Sequence, residues 1–381
     1  MIYFDHAASS WPKPKQVIEK MVQFLTENGA NPGRGNHKMA DIAGKEIYQT
    51  RVKLAKLFHI QNPNQITFFM NTTQALNLAI KGLLSPGDHV ITTKLEHNSV
   101  RRPLEYLKKV IGVEISYLDV DHAGYISLEL LKKSFQSNTK LLAISHASNV
   151  LGSIQPIKEI GQVVKEKDIY FLLDSAQTAG RYPIHVQEMN IDLLAFPGHK
   201  GLLGPQGVGG LYIHPELQLT PLIHGGTGKF SEDVDQPSQS PERYESGTLN
   251  TVGIVGLGAA LDYLEEIGIE TLRKKEWALT QRLLKGLEEI EGVKWYGPDL
   301  NQERVSVVSF TVEGIDSAEI ATILDQHYEI AVRSGFHCSP LVHQTMGTSN
   351  GAIRASLGYS NTEEEVDTFL AAIREIALTL R

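Results

Sequence analysis

Ala195-Phe196-Pro197-Gly198-His199-Lys200-Gly201 is the stretch that decides the fold, and Asp174-Ser175-Ala176-Gln177 upstream is its counterpart. Each polar cluster follows an apolar run, 169–173 and 191–196, which places each where a buried strand ends. A carboxylate and a lysine at the ends of neighbouring strands are what a pyridoxal phosphate site requires. The lysine amine forms a Schiff base with the cofactor aldehyde, and the carboxylate keeps the pyridine nitrogen protonated so that the ring accepts electrons. A single Lys or Asp is ordinarily a solvated surface charge. The ordered pair, with His-Lys set between glycines, is far more specific.

The wider sequence agrees with an α/β architecture around these two clusters. Apolar strand-like runs at 66–70, 89–93, 113–118, 141–145, 169–174, 193–196 and 209–213 alternate with amphipathic helical patterns such as 73–83, 100–110, 128–135 and 157–166. That alternation predicts βαβ crossovers and a mainly parallel seven-stranded sheet between helices. Ligands of such sheets collect at the carboxyl ends of the strands. Asn71-Thr72-Thr73, Glu96-His97-Asn98, 146–149, Asp174 and Lys200 all fall there. Residues 225–243 read as a surface loop. Two long helical patterns, 251–267 and 270–290, precede a smaller α/β unit with strands near 305–311, 329–333 and 352–355 and helices near 318–326 and 363–379. The expected division is a large domain over 15–255 and a small one made of 1–14 and 256–381.

Bulk properties narrow the function. At 381 residues the chain exceeds one small core, and 41% hydrophobic with 21% charged residues is ordinary for a soluble globular protein. The net charge of −8, without a concentrated Lys/Arg block, argues against nucleic-acid binding. No leader follows Met1 and no apolar run reaches bilayer length, so the expectation is a cytoplasmic protein with no membrane partner. The one cysteine, Cys338, rules out an internal disulfide and a cysteine-rich metal site.

Several residues are candidates for chemistry, each with a plainer alternative. Thr72 and Thr73 open a helix whose free amides suit a phosphate, or Asn71 and its neighbours simply cap that helix. Gly225-Gly226-Thr227-Gly228-Lys229-Phe230 lacks the spacing of a nucleotide P-loop. His97 suits stacking on a cofactor ring and proton transfer, or is a surface histidine. Asn149 and Gln177 suit the cofactor's phenolic oxygen, or make turns. Arg333-Ser334-Gly335-Phe336-His337-Cys338-Ser339-Pro340 sets a cysteine in a loop beside histidine and near arginine, unlike a core thiol. Arg354, in a strand-like run, suits a bidentate grip on a carboxylate, or an ordinary ion pair. Cys338, His337 and His343 lack zinc spacing, so no metal is expected.

Together these residues resemble the fold-type I, class V pyridoxal phosphate enzymes, specifically the cysteine desulfurase and selenocysteine lyase group. The resemblance runs from Tyr3-Phe4-Asp5-His6-Ala7-Ala8 through the clusters above to Glu245-Ser246-Gly247-Thr248, Arg333–Cys338 and Arg354-Ala355-Ser356. The Arg-x-Gly-x-His-Cys arrangement is similar to the branch with a short cysteine loop. The resemblance implies Lys200 as the Schiff-base lysine, Asp174 as partner of the pyridine nitrogen and His97 as the stacking residue. It implies Gln177, with Asn149 nearby, at the phenolic oxygen, and Thr72, Thr73 and His199 at the phosphate. Thr248 is implied as a phosphate ligand given to the other subunit of a homodimer. Arg354, Asn149 and His37 are implied at the substrate, and Cys338 as the cysteine that takes up sulfur from L-cysteine, possible delivery being to an acceptor protein. One departure is Pro197, where many relatives carry a Ser or Thr hydroxyl for the phosphate; proline has neither that hydroxyl nor an N–H. The same scaffold serves selenocysteine lyases, which act on L-selenocysteine, and transaminases or β-eliminating enzymes in which Cys338 is a bystander. A non-catalytic sulfur-relay scaffold is the remaining alternative, and intact Lys200 and Asp174 argue against it.

Overall fold

The computed structural model describes residues 1–32, 35, 37–229 and 231–380. The chain starts with β1 (Ile2–Tyr3), α1 (Lys15–Glu27) and α2 (Lys38–Phe58). Alternation follows: β2 (Ile66–Phe69), α3 (Thr72–Leu83), β3 (His89–Thr93), α4 (Asn98–Ile111), β4 (Glu114–Leu118), α5 (Leu128–Lys133), β5 (Thr139–Ser145), α6 (Ile157–Lys165), β6 (Tyr170–Asp174), β7 (Leu193–Pro197) and β8 (Gly209–Ile213). After the 225–243 loop, in which Phe230 lies outside the described residues, come α7 (Thr251–Ile267) and α8 (Ile269–Glu288). The remainder is β9 (Val293–Tyr296), β10 (Val307–Val312), α9 (Ser317–Tyr328), β11 (Ile330–Ala331), β12 (Arg333–Gly335), α10 (Pro340–Met346), β13 (Ala352–Ser356) and α11 (Glu363–Leu380).

The expected seven-stranded sheet is present, in the order β2-β8-β7-β6-β5-β3-β4. Only β8 runs against its neighbours; from β7 to β4 every pairing is parallel. A parallel sheet is covered on both faces, so its strands are apolar throughout, and the period-two geometry splits them between two cores. Along β7, Leu193 and Ala195 pack with α3 and α4 residues such as Leu76 and Leu104. Leu194 and Phe196 pack on the other face with Leu54, Ile160 and Leu257. Gly209 in β8 is where backbone approach demands glycine, because a Cβ there would lie 2.9 Å from the Asn71 carbonyl carbon and 3.0 Å from Thr72 N. The absent side chain lets the start of α3 rest on the sheet.

The carboxy-terminal unit is an antiparallel sheet ordered β12-β13-β10-β9, packed against α8, α9 and α11 around Leu283, Phe310, Ile353 and Phe369. Full burial of a side chain of this kind contributes about 1.5–3 kcal/mol. Two expectations need correction. The strand expected at 329–333 is two strands: Glu329 is the left-handed cap of α9 at φ 55°, so pairing starts at Ile330, first with β1 and then, from Arg333, with β13. The expected domain boundary at 255 falls inside α7, whose Leu257, Ala260 and Leu264 belong to the larger core. The handover lies along α8, where Leu272 packs with the larger core and Leu279 with the smaller. The first residues bridge the two: Phe4 is in the smaller core, while Ser10 bonds the backbone beside Lys200. Among the described residues no helix is long and apolar enough to cross a membrane.

Candidate active site

The parallel strands end at an open cavity of about 250 Å³. Asp174 closes β6, Pro197 closes β7, and Ser145 closes β5. The small sheet adds its own residues to the same wall, because Arg333 in β12 pairs in register with Arg354 in β13. Thr72, Thr73, His97, Asn149, Asp174, Gln177, His199, Lys200 and Arg354 all line this one cavity. They come from the ends of β5, β6 and β7, from the starts of α3 and α4 and from the middle of β13, which is why only the folded chain unites them.

Lys200 sits on a firmly held backbone. The carbonyl of His199 accepts from Ser10 N at 3.0 Å, Ser10 Oγ at 3.0 Å, Ser9 Oγ at 3.3 Å and Lys13 Nζ at 2.8 Å. Burial, reinforced by the charge of Arg354 and opposed by Asp174, pushes the Lys200 amine down to about 8. Asp174 is 4% exposed and accepts the Ala176 N–H at 2.9 Å. Burial pushes its carboxyl up, while that N–H and Lys200 oppose the shift. Its remaining lone pairs suit a protonated ring nitrogen.

His97 caps α4. Its Nδ1 accepts Ser99 N at 3.1 Å, so the neutral ring carries its proton on Nε2. Burial, then Lys200 and Arg333, push it down to about 4, and it stays neutral across the working range. Ser99 Oγ lies 2.9 Å from that Nδ1 and 2.8 Å from Thr73 Oγ1, a link the sequence did not reveal.

One pole of the cavity is built for an anion. Asn71 caps α3 by accepting Gln74 N, which leaves the amides of Thr72 and Thr73 in the first turn without an intrahelical partner. Thr72 Oγ1 and His199 Nδ1 are buried atoms with no protein hydrogen bond. Orphaned polar atoms beside a helix start are what a phosphate would satisfy. Pro197 lines the same cavity without a hydroxyl. The residues present therefore fit pyridoxal phosphate.

Other expected residues are engaged differently. Gln177 Nε2 donates to Ala7 O at 3.2 Å, tying it to the amino-terminal strap. Asn149 lines the cavity, yet its amide serves the cysteine loop: Nδ2 donates to His337 O at 2.7 Å and Oδ1 accepts Ser339 Oγ at 2.8 Å. Arg354 is 1% exposed and already holds a carboxylate, Asp5 Oδ1 at 2.8 Å, while its Nη1 donates to Asn149 O at 3.1 Å. Cys338 is half-buried beside the cavity, and Arg333 Nη2 donates to its Sγ at 3.4 Å. Thr248 is exposed and lines no part of the cavity in this chain. His37 is also exposed and away from it, because its Nδ1 accepts Ala40 N at 3.3 Å as the cap of α2.

Glu96 was unread as a site residue, although it precedes His97. It is 2% exposed and accepts Thr93 Oγ1 at 2.6 Å, Ser145 N at 3.2 Å and Ser145 Oγ at 2.7 Å. Burial outweighs these bonds and pushes its carboxyl up from 4.5 to about 7. The folded state therefore holds this proton more tightly than the unfolded chain, so the contribution is full at acid pH and is lost as pH rises from 4.5 through about 7. Glu96→Gln is expected to flatten that decline. Melting temperatures of both proteins at about pH 5 and about pH 8 test this, and equal slopes would refute it.

The model of the family described as Aminotransferase class-V matches residues 2–369. A protein of Pyrococcus abyssi named "Probable cysteine desulfurase" is 38% identical, the alignment covering 100% of this chain and 95% of that one. A Yersinia pestis protein named "Cysteine desulfurase" is 34% identical, over 99% and 93%. Among solved structures, the apo cysteine desulfurase of Thermococcus onnurineus superposes with a TM-score of 0.93 at 37% identity, covering 100% of this chain and 95% of that one.

Proposed function

The chain belongs to the aminotransferase class-V family, and on that premise we propose that it is a pyridoxal phosphate-dependent cysteine desulfurase. It converts L-cysteine to L-alanine and places the sulfur on Cys338 as a persulfide. Relatives named as cysteine desulfurases along the whole chain support this. The observation that carries it is the convergence of Lys200, Asp174 and Arg354 on one cavity, with Cys338 held beside it against Arg333.

When bound, pyridoxal phosphate supplies an aldehyde for the substrate amine and an electron sink for the bonds around Cα. Thr72, Thr73 and His199 would hold the phosphate, and Asp174 would keep a proton on the ring nitrogen. His97, as a neutral ring, and Gln177 would hold the ring and its phenolic oxygen. Arg354 takes the carboxylate of L-cysteine in exchange for Asp5, a carboxylate that keeps the guanidinium placed until then. Lys200 Nζ, with its amine pushed down to about 8, is the base that takes the Cα proton. Cys338 Sγ then attacks the substrate sulfur. An S–S bond forms, the Cβ–S bond breaks with its electron pair left on carbon, Cβ takes a proton, and Cα regains the proton that Lys200 removed, which gives alanine. No external oxidant enters.

Thr248 fits this scheme as a phosphate ligand for a second copy of the chain, since it is exposed and absent from its own cavity. Exposed Phe336 beside Cys338 suits contact with a sulfur acceptor. Thr248→Ala is expected to weaken cofactor retention by about tenfold, the loss of one charge-assisted hydrogen bond. Equilibrium dialysis of a protein shown by sedimentation to be dimeric measures it, and unaltered retention removes Thr248 from the site. For the activity itself, L-cysteine should yield alanine and sulfide in equal amounts under reductant; keto acid release, or turnover of selenocysteine alone, would overturn it.

A further inference from the structure

The loop carrying Cys338 is a strained hook held shut by side chains. His337 and Cys338 have φ of 51° and 60°, both in the left-handed region. Non-glycine residues are strained there unless their surroundings hold them. Here four hydrogen bonds do so. Asn98 N donates to Cys338 O at 2.8 Å and Ser339 N donates to Phe336 O at 2.9 Å. Asn149 Nδ2 donates to His337 O, and Ser339 Oγ donates to Asn149 Oδ1. The Asn149 amide thus grips the hook on both sides of Cys338. Ser339 is fully buried, so its hydroxyl has no water to turn to. Arg354, bonded to the carbonyl of the same Asn149, ties the hook to the residue that takes the substrate carboxylate.

We propose that Ser339 is a positioning residue for sulfur transfer: its buried hydroxyl, acting through the Asn149 amide, latches the hook so that Cys338 Sγ is in place before substrate arrives. The inference rests on the reading of Cys338 as sulfur acceptor. It follows from orientation, since a nucleophile fixed in advance spares the transfer step the cost of ordering a loop, and a displacement of about 1 Å costs up to about 100-fold in rate. Removing the Ser339 hydroxyl takes away one of the four bonds that hold the loop, so Cys338 is held less firmly and its thiol is more open to reagents.

Cys338 is the only cysteine in the chain, so thiol reagents report on the hook alone. In Ser339→Ala the cofactor absorbance and the half-saturation of the cysteine-induced spectral change should match wild type. Persulfide formation in a single turnover should fall about 10- to 100-fold. Alkylation of the apo protein by iodoacetamide should instead become several-fold faster. Ser339→Thr, which keeps the hydroxyl, should restore both rates. Wild-type values for transfer and for alkylation in Ser339→Ala overturn the latch. Should Ser339→Ala fail to fold, Asn149→Asp replaces the donor to His337 O by an acceptor, and an unchanged alkylation rate there overturns it equally. A failure of the sulfur-acceptor reading looks different: Cys338→Ala would keep turning over cysteine, whatever the alkylation rates of the latch variants.

Discussion

Cys338→Ala is expected to retain the absorbing cofactor and to bind L-cysteine with unchanged half-saturation, while turnover falls by at least about 10³-fold. The separation follows from the geometry. The groups proposed to hold the cofactor lie on strand ends of the large sheet and at the starts of α3 and α4, and Arg354, the proposed grip on the substrate carboxylate, lies on β13. Cys338 lies on a separate loop between β12 and α10, and no second thiol exists to replace it. Removing Sγ leaves binding intact and deletes the atom that receives sulfur. A spectral titration with L-cysteine, paired with alanine quantification, measures both halves. Full turnover in the variant would instead favour an enzyme in which Cys338 is a bystander, or a selenocysteine lyase, whose leaving group needs less help.

Lys200→Ala is expected to lose the cofactor's covalent attachment and about 10⁴-fold or more in turnover, since one amine is both the attachment point and the base at Cα. The backbone around Lys200 is pinned by the donors on the His199 carbonyl and by Leu203 N on its own carbonyl at 2.9 Å. Lys13, the nearest in sequence motif to that carbonyl, is itself committed to Ser10 Oγ and His199 O. Borohydride should fix cofactor to the wild-type chain and not to the variant. In the wild-type apo protein, acylation of Lys200 should rise with pH through about 8, where surface lysines, at 10.5, are still largely protonated. Retained fixation in Lys200→Ala would place the attachment elsewhere.

Much of the fold was legible because parallel strands buried on both faces read as continuous apolar runs, and β6 and β7 are such runs. Asp174 and the His199-Lys200 pair were legible for the same reason: they are the first polar groups to close or follow the apolar runs of β6 and β7. Helices α1 and α2 went unassigned. The exposed Ile18, Val22 and Leu25 blur the polar face of α1. Arg51 in α2 is 4% exposed and appears out of place until Glu245 meets it at 2.5 Å from 194 residues away. Pairings across the chain explain what stayed hidden at the site as well. Asp5 and Arg354 are 349 residues apart, and Asn149 and Ser339 are 190 apart. Nothing local in either sequence segment marks its partner. His37 had a local signal, a polar residue before a helical pattern, and that signal meant a cap.

The most direct measurement is a single turnover of the cofactor-loaded protein with one equivalent of L-cysteine and no reductant, read by alanine quantification and by the intact mass of the chain. The expected result is one alanine released for each sulfur atom gained by the protein, the gain mapping to Cys338 and absent in Cys338→Ala. Alanine formed with no sulfur on the chain, or keto acid in its place, would contradict the sulfur-transfer role of Cys338.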